Sequence, residues 1–331
     1  MTSEKPQSVV RGSGLGKGDS ERSTVGVSES RVPSPESETT NHSPYGDLIP
    51  IATVVGVLLV VWYVAAVPMN SIIVGTDTKI AAAGGGLWNT LAVSWSLDRP
   101  RLPAPHQVLI GFWNTVFTVD PTTPKSLIYH AWVTLSSTLL GFAMGSLLGI
   151  ALAIAIVHIK TLQKSLLPWI IASQTIPILA IAPMIIVVLG SVGLTGILPK
   201  SLISMYLCFF PVTIGMVKGL TSPEVMQLDL MHTYHASTAQ TLWKLRFPAA
   251  LPFLFASLKV AISIALVGAI VGELPTGAQA GIGARLLTGS YYGQTVQIWA
   301  ALLAAALMAG ALVWAVGATE KLTNALMGAR P

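Results

Sequence analysis

Charged residues are scarce in this chain of 331 residues, since Asp, Glu, Lys and Arg make up only 10% of it and hydrophobic residues make up 52%. A soluble globular domain ordinarily carries about 25% charged residues. Several apolar runs are long enough, at roughly 20 residues each, to cross the hydrocarbon core of a bilayer. The composition therefore excludes an ordinary soluble globule and predicts an all-α membrane protein that crosses the bilayer several times.

Cysteine and intramembrane acids are also nearly absent. Cys208 is the only cysteine, so no intramolecular disulfide can form. No predicted span carries a central Asp or Glu, and no H-E-x-x-H sequence occurs. A transporter or channel that works alone ordinarily has carboxylates or a broken ion-binding helix at the midplane, and an intramembrane enzyme needs paired catalytic groups or metal ligands. We therefore predict no catalytic residue and no metal site, and keep a stand-alone secondary transporter or channel as the alternative hypothesis.

The first 46 residues contain few large apolar side chains and many Ser, Pro, Gly and charged residues. Such a segment cannot bury enough apolar surface to offset the entropy of ordering, so we predict a disordered tail over residues 1–46. Its stretch 12–17, GSGLGK, imitates a phosphate-binding loop, but Gly18 stands where a Ser or Thr should bind magnesium and no strand precedes it. A cleaved signal peptide is not expected, because the first apolar segment begins only after this tail.

Six apolar segments follow the tail. The first covers residues 47–67, and the Pro- and Gly-containing residues 68–125 are predicted to form an extracytoplasmic loop with surface helices at 87–95 and 107–117. The other five spans fall within residues 126–320, at about 127–157, 166–189, 201–217, 252–271 and 295–316. Residues 321–331 are predicted to form a short tail.

Two of these spans carry signals about packing. Gly141, Gly145 and Gly149 repeat at four-residue spacing on the second span, which places three missing side chains on one helix face and predicts close contact with another helix. Pro177 and Pro183 in the third span predict a bent helix, because neighbouring groups must satisfy the carbonyls that prolines leave free.

Basic residues near the span ends fall on one side of the membrane if there are six spans. They are Lys160, Lys164, Lys218, Lys244, Arg246, Lys321 and Arg330. Short loops rich in Lys and Arg face the cytoplasm, so we predict a multi-pass cell-membrane protein with both termini and residues 221–252 in the cytoplasm. The formal charge of +5 is assigned to these loops, and no nucleic-acid partner is expected.

Residues 221–252 form a polar insert between the fourth and fifth spans. Glu224 lies near the start of a predicted helix, where the helix dipole favours an acid. Ser237 and Gln240 form the S-x-x-Q pattern of a capping box, which starts a second helix. Two short helices are therefore predicted to meet near His235.

This insert resembles the EAA loop of membrane subunits in binding-protein-dependent ABC importers. That loop reads E-A-A, three residues, G, nine residues and I-x-L-P. Here Asp229-Leu230-Met231, His235, Leu245 and Phe247-Pro248 take those places with every spacing kept. His235 replaces a Gly that tolerates a positive φ, a conformation that His adopts less readily.

Other segments resemble the same family. Residues 102–109, LPAPHQVL, are similar to the L-P-x-P-x-x-V-L signature of its nitrate, sulfonate and taurine branch. Further similar segments are Ile176-Pro177, Ala182-Pro183, Phe210-Pro211, Gly272-Glu273 and Gly281-Ile282-Gly283. The resemblance implies a permease that pairs with a second copy, receives a solute from an extracytoplasmic binding protein and is driven by separate ATPase subunits. It implies no cofactor on this chain, because ATP is held by the partner.

The resemblance also implies site residues. The cytoplasmic insert would be a coupling helix that enters a groove on the ATPase, through Asp229, His235, Ala236, Ser237, Gln240 and Trp243. Gln174, Lys259 and Glu273 are candidates for the pathway or a gate, although Lys259 can instead reach the membrane surface and Glu273 can be an interfacial charge. The branch suggests a sulfonate, taurine or nitrate-like anion as solute, whereas near relatives in it resemble carriers of aromatic heterocycles, including thiamine-precursor pyrimidines and riboflavin.

Overall fold

The computed structural model of the chain describes residues 48–76, 87–275 and 280–328. The predicted tail over residues 1–46, with its phosphate-loop-like stretch 12–17, lies outside the described residues, as do residues 329–331. The chain divides into two compact units after Ala52. Only residues 48–52 of the first unit are described, and they begin a helix; all contacts given below lie within the second unit.

The described residues form helices joined by short turns, without any strand. The helices are α1 (Leu48–Thr76), α2 (Leu87–Ser94), α3 (Pro105–Trp113), α4 (Leu127–His158), α5 (Lys160–Ser173), α6 (Ile178–Ser191), α7 (Ile197–Leu220), α8 (Val225–Thr233), α9 (Thr238–Glu273), α10 (Ile282–Tyr291) and α11 (Thr295–Leu326). Among them α1, α4, α7, α9 and α11 are long and apolar enough to cross a membrane, and α5 with α6 makes a sixth span if the pair is counted as one. This confirms the all-α membrane fold.

The predicted glycine face of α4 packs against α7. A side chain at Gly145 would collide with Cys208 and with the backbone of Met205, and Gly141 and Gly149 lie equally close to α7. The four-residue spacing therefore brings the two helix backbones together, as predicted.

An adjoining face of α7 meets α9 in the same manner, and Ser204 lies against both partner helices. A Cβ at Gly268 would lie 2.8 Å from the Cα of Ser204, and one at Gly219 would lie 2.8 Å from Ala250. The Ser204 hydroxyl donates a hydrogen bond of 2.8 Å to the Ala265 carbonyl. Lipid tails are as apolar as these helices, so close van der Waals contact and interhelical hydrogen bonds hold them together. Helices α4, α7 and α9 form the centre of the second unit.

The third predicted span is broken, since α5 and α6 differ in direction by 96°. Pro177 takes an extended conformation at the N-cap of α6. The residue before a proline avoids helical conformations and the prolyl nitrogen has no hydrogen to donate, so the chain turns here. Tyr206 of α7 donates a hydrogen bond to the Ser173 carbonyl at the end of α5. The predicted bend is confirmed, and it is sharp enough to divide the span into two separate helices.

Helix α1 continues past the predicted end at residue 67, through Pro68, to Thr76. Asn70 explains the extension, because its side chain is fully buried and bonds four backbone groups within residues 94–102. Tertiary bonds of this kind hold a helix together beyond a proline. Helices α2 and α3 lie near the two surface helices that the sequence predicts in residues 68–125.

Helix α9 begins at Thr238, well before the predicted start at residue 252, because the second short helix runs directly into the membrane span. A π-helical turn at Leu242–Arg246 makes this possible. There the Phe247 N–H donates to the Leu242 carbonyl, five residues back instead of four. The wider turn leaves room for the ring of Pro248, which would clash with a regular helix.

Candidate functional site

The predicted coupling segment lies at one end of the helix bundle, called the lower end here; Glu273 lies at the opposite, upper end. Helix α8 in this segment contains no buried residue. Three of its apolar residues and the Tyr at its C-cap are between 56% and 80% exposed, namely Val225, Met226, Leu230 and Tyr234. Met226, Leu230 and Tyr234 follow one another at four-residue spacing along one face, and an exposed apolar face of this kind marks an interaction surface.

The turn after α8 is centred on His235, which has a φ of 49° and is the one non-glycine residue with a positive φ in the described part of the chain. Its N–H donates to the His232 carbonyl at 2.9 Å, and the N–H of Ala236 donates to the Met231 carbonyl at 3.0 Å. These bonds form the Schellman motif, in which the left-handed residue is usually Gly. His235 therefore takes the left-handed position that this motif usually gives to Gly.

The predicted capping box at the start of α9 is confirmed. The Ser237 hydroxyl accepts a hydrogen bond of 3.2 Å from the Gln240 N–H, and the Gln240 side-chain oxygen accepts one of 2.8 Å from the Ser237 N–H. A helix end with a Schellman motif thus leads directly into a helix start with a capping box. Hydrogen bonds therefore fix the angle between α8 and α9, although α8 and the first turn of α9 are exposed.

The six residues predicted to contact an ATPase all lie on α8, on this turn or on the first turns of α9. Asp229, His235, Ser237, Gln240 and Trp243 are exposed, and Ala236 is half-buried. Trp243 packs beside the ring of Phe247, with centroids 5.1 Å apart. The Arg246 guanidinium donates to the Leu220 carbonyl at 3.4 Å and joins α9 to the end of α7. Whether these residues bind an ATPase stays a prediction.

Lys259, a candidate gate residue, is paired within the chain. Its ammonium lies 2.5 Å from a carboxylate oxygen of Glu320 on α11, and the two side chains are 37% and 23% exposed. An unpaired charge within a membrane span costs several kcal/mol, and the pair reduces that cost. The sequence does not indicate this pair, because Glu320 lies on a different helix, about 60 residues further along the chain.

Glu273, at the end of α9, is fully buried. This corrects the expectation of an interfacial charge. Its carboxylate accepts a hydrogen bond of 2.9 Å from the Gly283 N–H, lies 2.9 Å from the Thr134 hydroxyl and lies 3.7 Å from the Lys200 ammonium. All three of these neighbours can donate hydrogen bonds to the buried carboxylate.

The same cluster holds the segment that precedes α10. The Gly281 N–H donates to Nδ1 of His130 at 3.0 Å, so Nε2 of that ring carries the hydrogen and donates to the Pro124 carbonyl at 2.9 Å. The Ile282 N–H donates to the Thr134 hydroxyl at 2.8 Å. Gly281 has a φ of 126°, and any side chain there would collide with the Glu273 carboxylate. We call His130, Thr134, Lys200, Glu273 and residues 280–283 the upper polar cluster.

Gln174, the remaining pathway candidate, ends α5 at the break before α6. It is half-buried, and its amide donates a long hydrogen bond of 3.4 Å to the Ser173 hydroxyl. Its role in a pathway stays a prediction. Lys200, His130 and Thr134 carry no signal of a site in the sequence, since only the fold brings them to Glu273.

The comparison with known proteins identifies the family. Residues 145–321 match the family described as binding-protein-dependent transport system inner membrane component. The chain belongs to this family. The match includes the whole of α8 and α9, the segment before α10 and most of α11.

Three relatives of this permease agree with the family. It is 32% identical over 217 residues to a probable ABC transporter permease protein of Haemophilus influenzae, covering 66% of this chain and 83% of that protein. It is 31% identical over 194 residues to the formylaminopyrimidine transport permease protein of Halalkalibacterium halodurans, covering 58% and 75%. It is 31% identical over 221 residues to the riboflavin transport system permease protein of Chloroflexus aurantiacus, covering 67% and 78%. The chain is therefore a transport subunit of the inner membrane and not an enzyme.

Proposed function

We propose that two copies of this permease form the pathway of an ABC importer, which takes a small solute from an extracytoplasmic binding protein and is driven by separate ATPase subunits. The family match supports the class of transporter. The lower end faces the cytoplasm in this proposal, because Lys160, Lys164, Lys218 and Lys244 lie there and short basic loops face the cytoplasm.

The coupling surface consists of α8, the turn at His235 and the first turns of α9. Its exposed, unpartnered side chains are the observation that carries the proposal, since Val225, Met226, Leu230 and Tyr234 gain burial only by contact with another molecule. Asp229 adds a carboxylate on the same helix. These side chains suit a groove with an apolar floor and a basic or hydrogen-bonding rim on the ATPase.

Besides an exposed contact surface, coupling requires a rigid connection between that surface and the membrane helices. Reversing a conformational equilibrium from 1:99 to 99:1 takes about 5.5 kcal/mol of differential binding. A flexible connection would bend and would not transmit the movement of the ATPase to the membrane helices. The bonded turn at His235 and the unbroken course of α9 supply that rigidity. The contact between Arg246 and the end of α7 joins the surface to the centre of the bundle. Movement of the ATPase would therefore move α9.

Substitution of Asp229 tests this proposal. In liposomes that contain the complete complex, Asp229→Arg should reduce both solute uptake and binding-protein-stimulated ATP hydrolysis, because it inverts a charge at the centre of the surface. Gln163→Arg is the matched control, since Gln163 is exposed on α5 and lies off the surface. Normal uptake and hydrolysis by a fully assembled Asp229→Arg complex would show that α8 is not the coupling element.

The proposed class of solute rests on the resemblance and on the names of relatives. The resemblance allows a sulfonate, taurine or nitrate-like anion or an aromatic heterocycle. The names of two relatives, which refer to formylaminopyrimidine and riboflavin, favour the heterocycle for this chain.

A further inference from the structure

A cavity of about 620 Å³ opens near the upper end, beside α4, α6 and α7. Tyr129 and Val133 of α4, Ile186 of α6, Thr195 of the α6–α7 turn and Lys200 of α7 contribute to its wall. Binding sites for small organic molecules have volumes of about 300–1,000 Å³, so the cavity is large enough for a ring compound.

The charge of the cavity wall is already neutralised within the chain. Lys200 is the one charged residue among the described residues that line it. Its ammonium donates to the Ala280 carbonyl at 2.9 Å and lies 3.7 Å from the Glu273 carboxylate. An ion that leaves water for a site without a free counter-charge loses several kcal/mol of solvation. A sulfonate or nitrate would have to compete with Glu273 for Lys200, and a cation would be repelled by it.

The uncharged polar groups of the wall are free. The hydroxyls of Tyr129 and Thr195 make no side-chain hydrogen bond in the described part of the chain, so both can bond a solute. The Tyr129 ring provides an aromatic face, and aromatic rings pair in offset or edge-to-face arrangements. Val133 and Ile186 provide apolar contacts. The wall therefore offers stacking and neutral hydrogen bonds.

Lys259 of α9 is also paired with a glutamate, namely Glu320 of α11. Both lysines that lie within the described spans away from the lower end are thus neutralised by a glutamate of the same chain. Pathways that select anions present unpaired Arg or Lys to the ion. Neither lysine is available in that form, and Arg285 of α10, which has no ion pair within the described residues, does not line the cavity.

From these observations we infer that the cavity binds an uncharged planar ring with hydrogen-bonding edges, such as a pyrimidine, and discriminates against small anions. The inference rests on the proposed importer function and specifies its solute class at a site within the permease.

Protection of an introduced cysteine tests the inference. Cys208 is the only cysteine and is buried, so Cys208→Ala gives a background for labelling Leu194→Cys, at a lining residue without a polar group, with a maleimide in the complete permease–ATPase complex. A ligand at about ten times its dissociation constant occupies about 90% of sites and should slow labelling about tenfold. We expect this for formylaminopyrimidine or riboflavin, and no slowing for nitrate or methanesulfonate at the same concentrations.

Two further variants make the test specific. Thr175→Cys is the matched control, because Thr175 is exposed at the break between α5 and α6 and does not line the cavity, so no solute should slow its labelling. Adding Glu273→Gln leaves Lys200 without its counter-charge and should allow the anions to protect Leu194→Cys. If Glu273→Gln does not fold, Glu273→Gln with Lys200→Met removes both charges and should keep protection by the ring solutes alone.

Different results would contradict the inferred solute class and the proposed coupling surface. Equal protection by the anions, or no protection by either ring solute, in a complex with normal ATP hydrolysis would overturn the solute class alone. Normal coupling in the Asp229→Arg complex would overturn the proposed coupling surface, whatever the labelling shows.

Discussion

Replacing His235 tests how far the coupling turn depends on a left-handed residue. A left-handed conformation costs a residue with a Cβ roughly 1–2 kcal/mol, and Gly avoids that cost. Gly also loses about 0.5–1 kcal/mol more conformational entropy on folding, so His235→Gly should change the stability of the turn by less than about 1 kcal/mol. A β-branched side chain crowds the turn further, so we expect His235→Val to destabilise it by at least about 1 kcal/mol.

Hydrogen exchange at the turn measures this cost directly. The Ala236 N–H is protected by its bond to the Met231 carbonyl, and its exchange follows the population of the open turn. A cost of about 1 kcal/mol corresponds to roughly fivefold faster exchange in His235→Val, with a smaller change in His235→Gly. His232→Val is the control, because it makes the same substitution within α8. If both valine variants exchange at the same rate, the positive φ of His235 does not limit the turn.

The remaining predictions concern the bundle. Gly145→Ala should lower the thermal midpoint, because an added carbon would overpack the contact with α7 at about 1–3 kcal/mol, whereas Gly310→Ala, which has open space around it, should not. Lys259→Met should destabilise the protein by about 1–2 kcal/mol by leaving Glu320 unpaired, and adding Glu320→Gln should recover most of the loss in a double-mutant cycle. Asn70→Leu should expose residues 94–102 to limited proteolysis, since it removes four hydrogen bonds to their backbone; unchanged cleavage would contradict the role of Asn70.

Features that depend on neighbouring residues were predictable from the sequence. The capping box at Ser237 and Gln240 involves residues three positions apart, and the break at Pro177 follows from the chemistry of one residue. The close packing of Gly145 follows from helical periodicity, which places residues four apart on one face. In each case the residues that cause the feature lie within a few positions of one another, so the feature can be predicted from the sequence.

Features that join distant residues were not predictable. Glu273 looks like a surface charge in the sequence, because its donors come from α4, α7 and the segment before α10. The partner of Lys259 is on α11. The start of α9 was also misplaced, since Pro248 normally ends or begins a helix and only the π-helical turn before it lets the helix continue. The partners of Glu273 and Lys259 and the start of α9 depend on how distant segments pack, which the local sequence does not show.

The arrangement of the helices indicates which parts of the permease can move. Helix α9 has 36 residues, so it extends about 54 Å at 1.5 Å per residue and joins the coupling surface to the upper polar cluster. Since α7 packs against α4 and α9 backbone to backbone, these three helices should move as one body, and the pairing of Lys200 with Glu273 should persist throughout. The cavity has one wall on this body and another on α6, which is separated from α5 by the 96° break. Under the proposed function we therefore expect the movement that admits or releases a solute to fall on α6, while the pairing of Lys200 with Glu273 is kept.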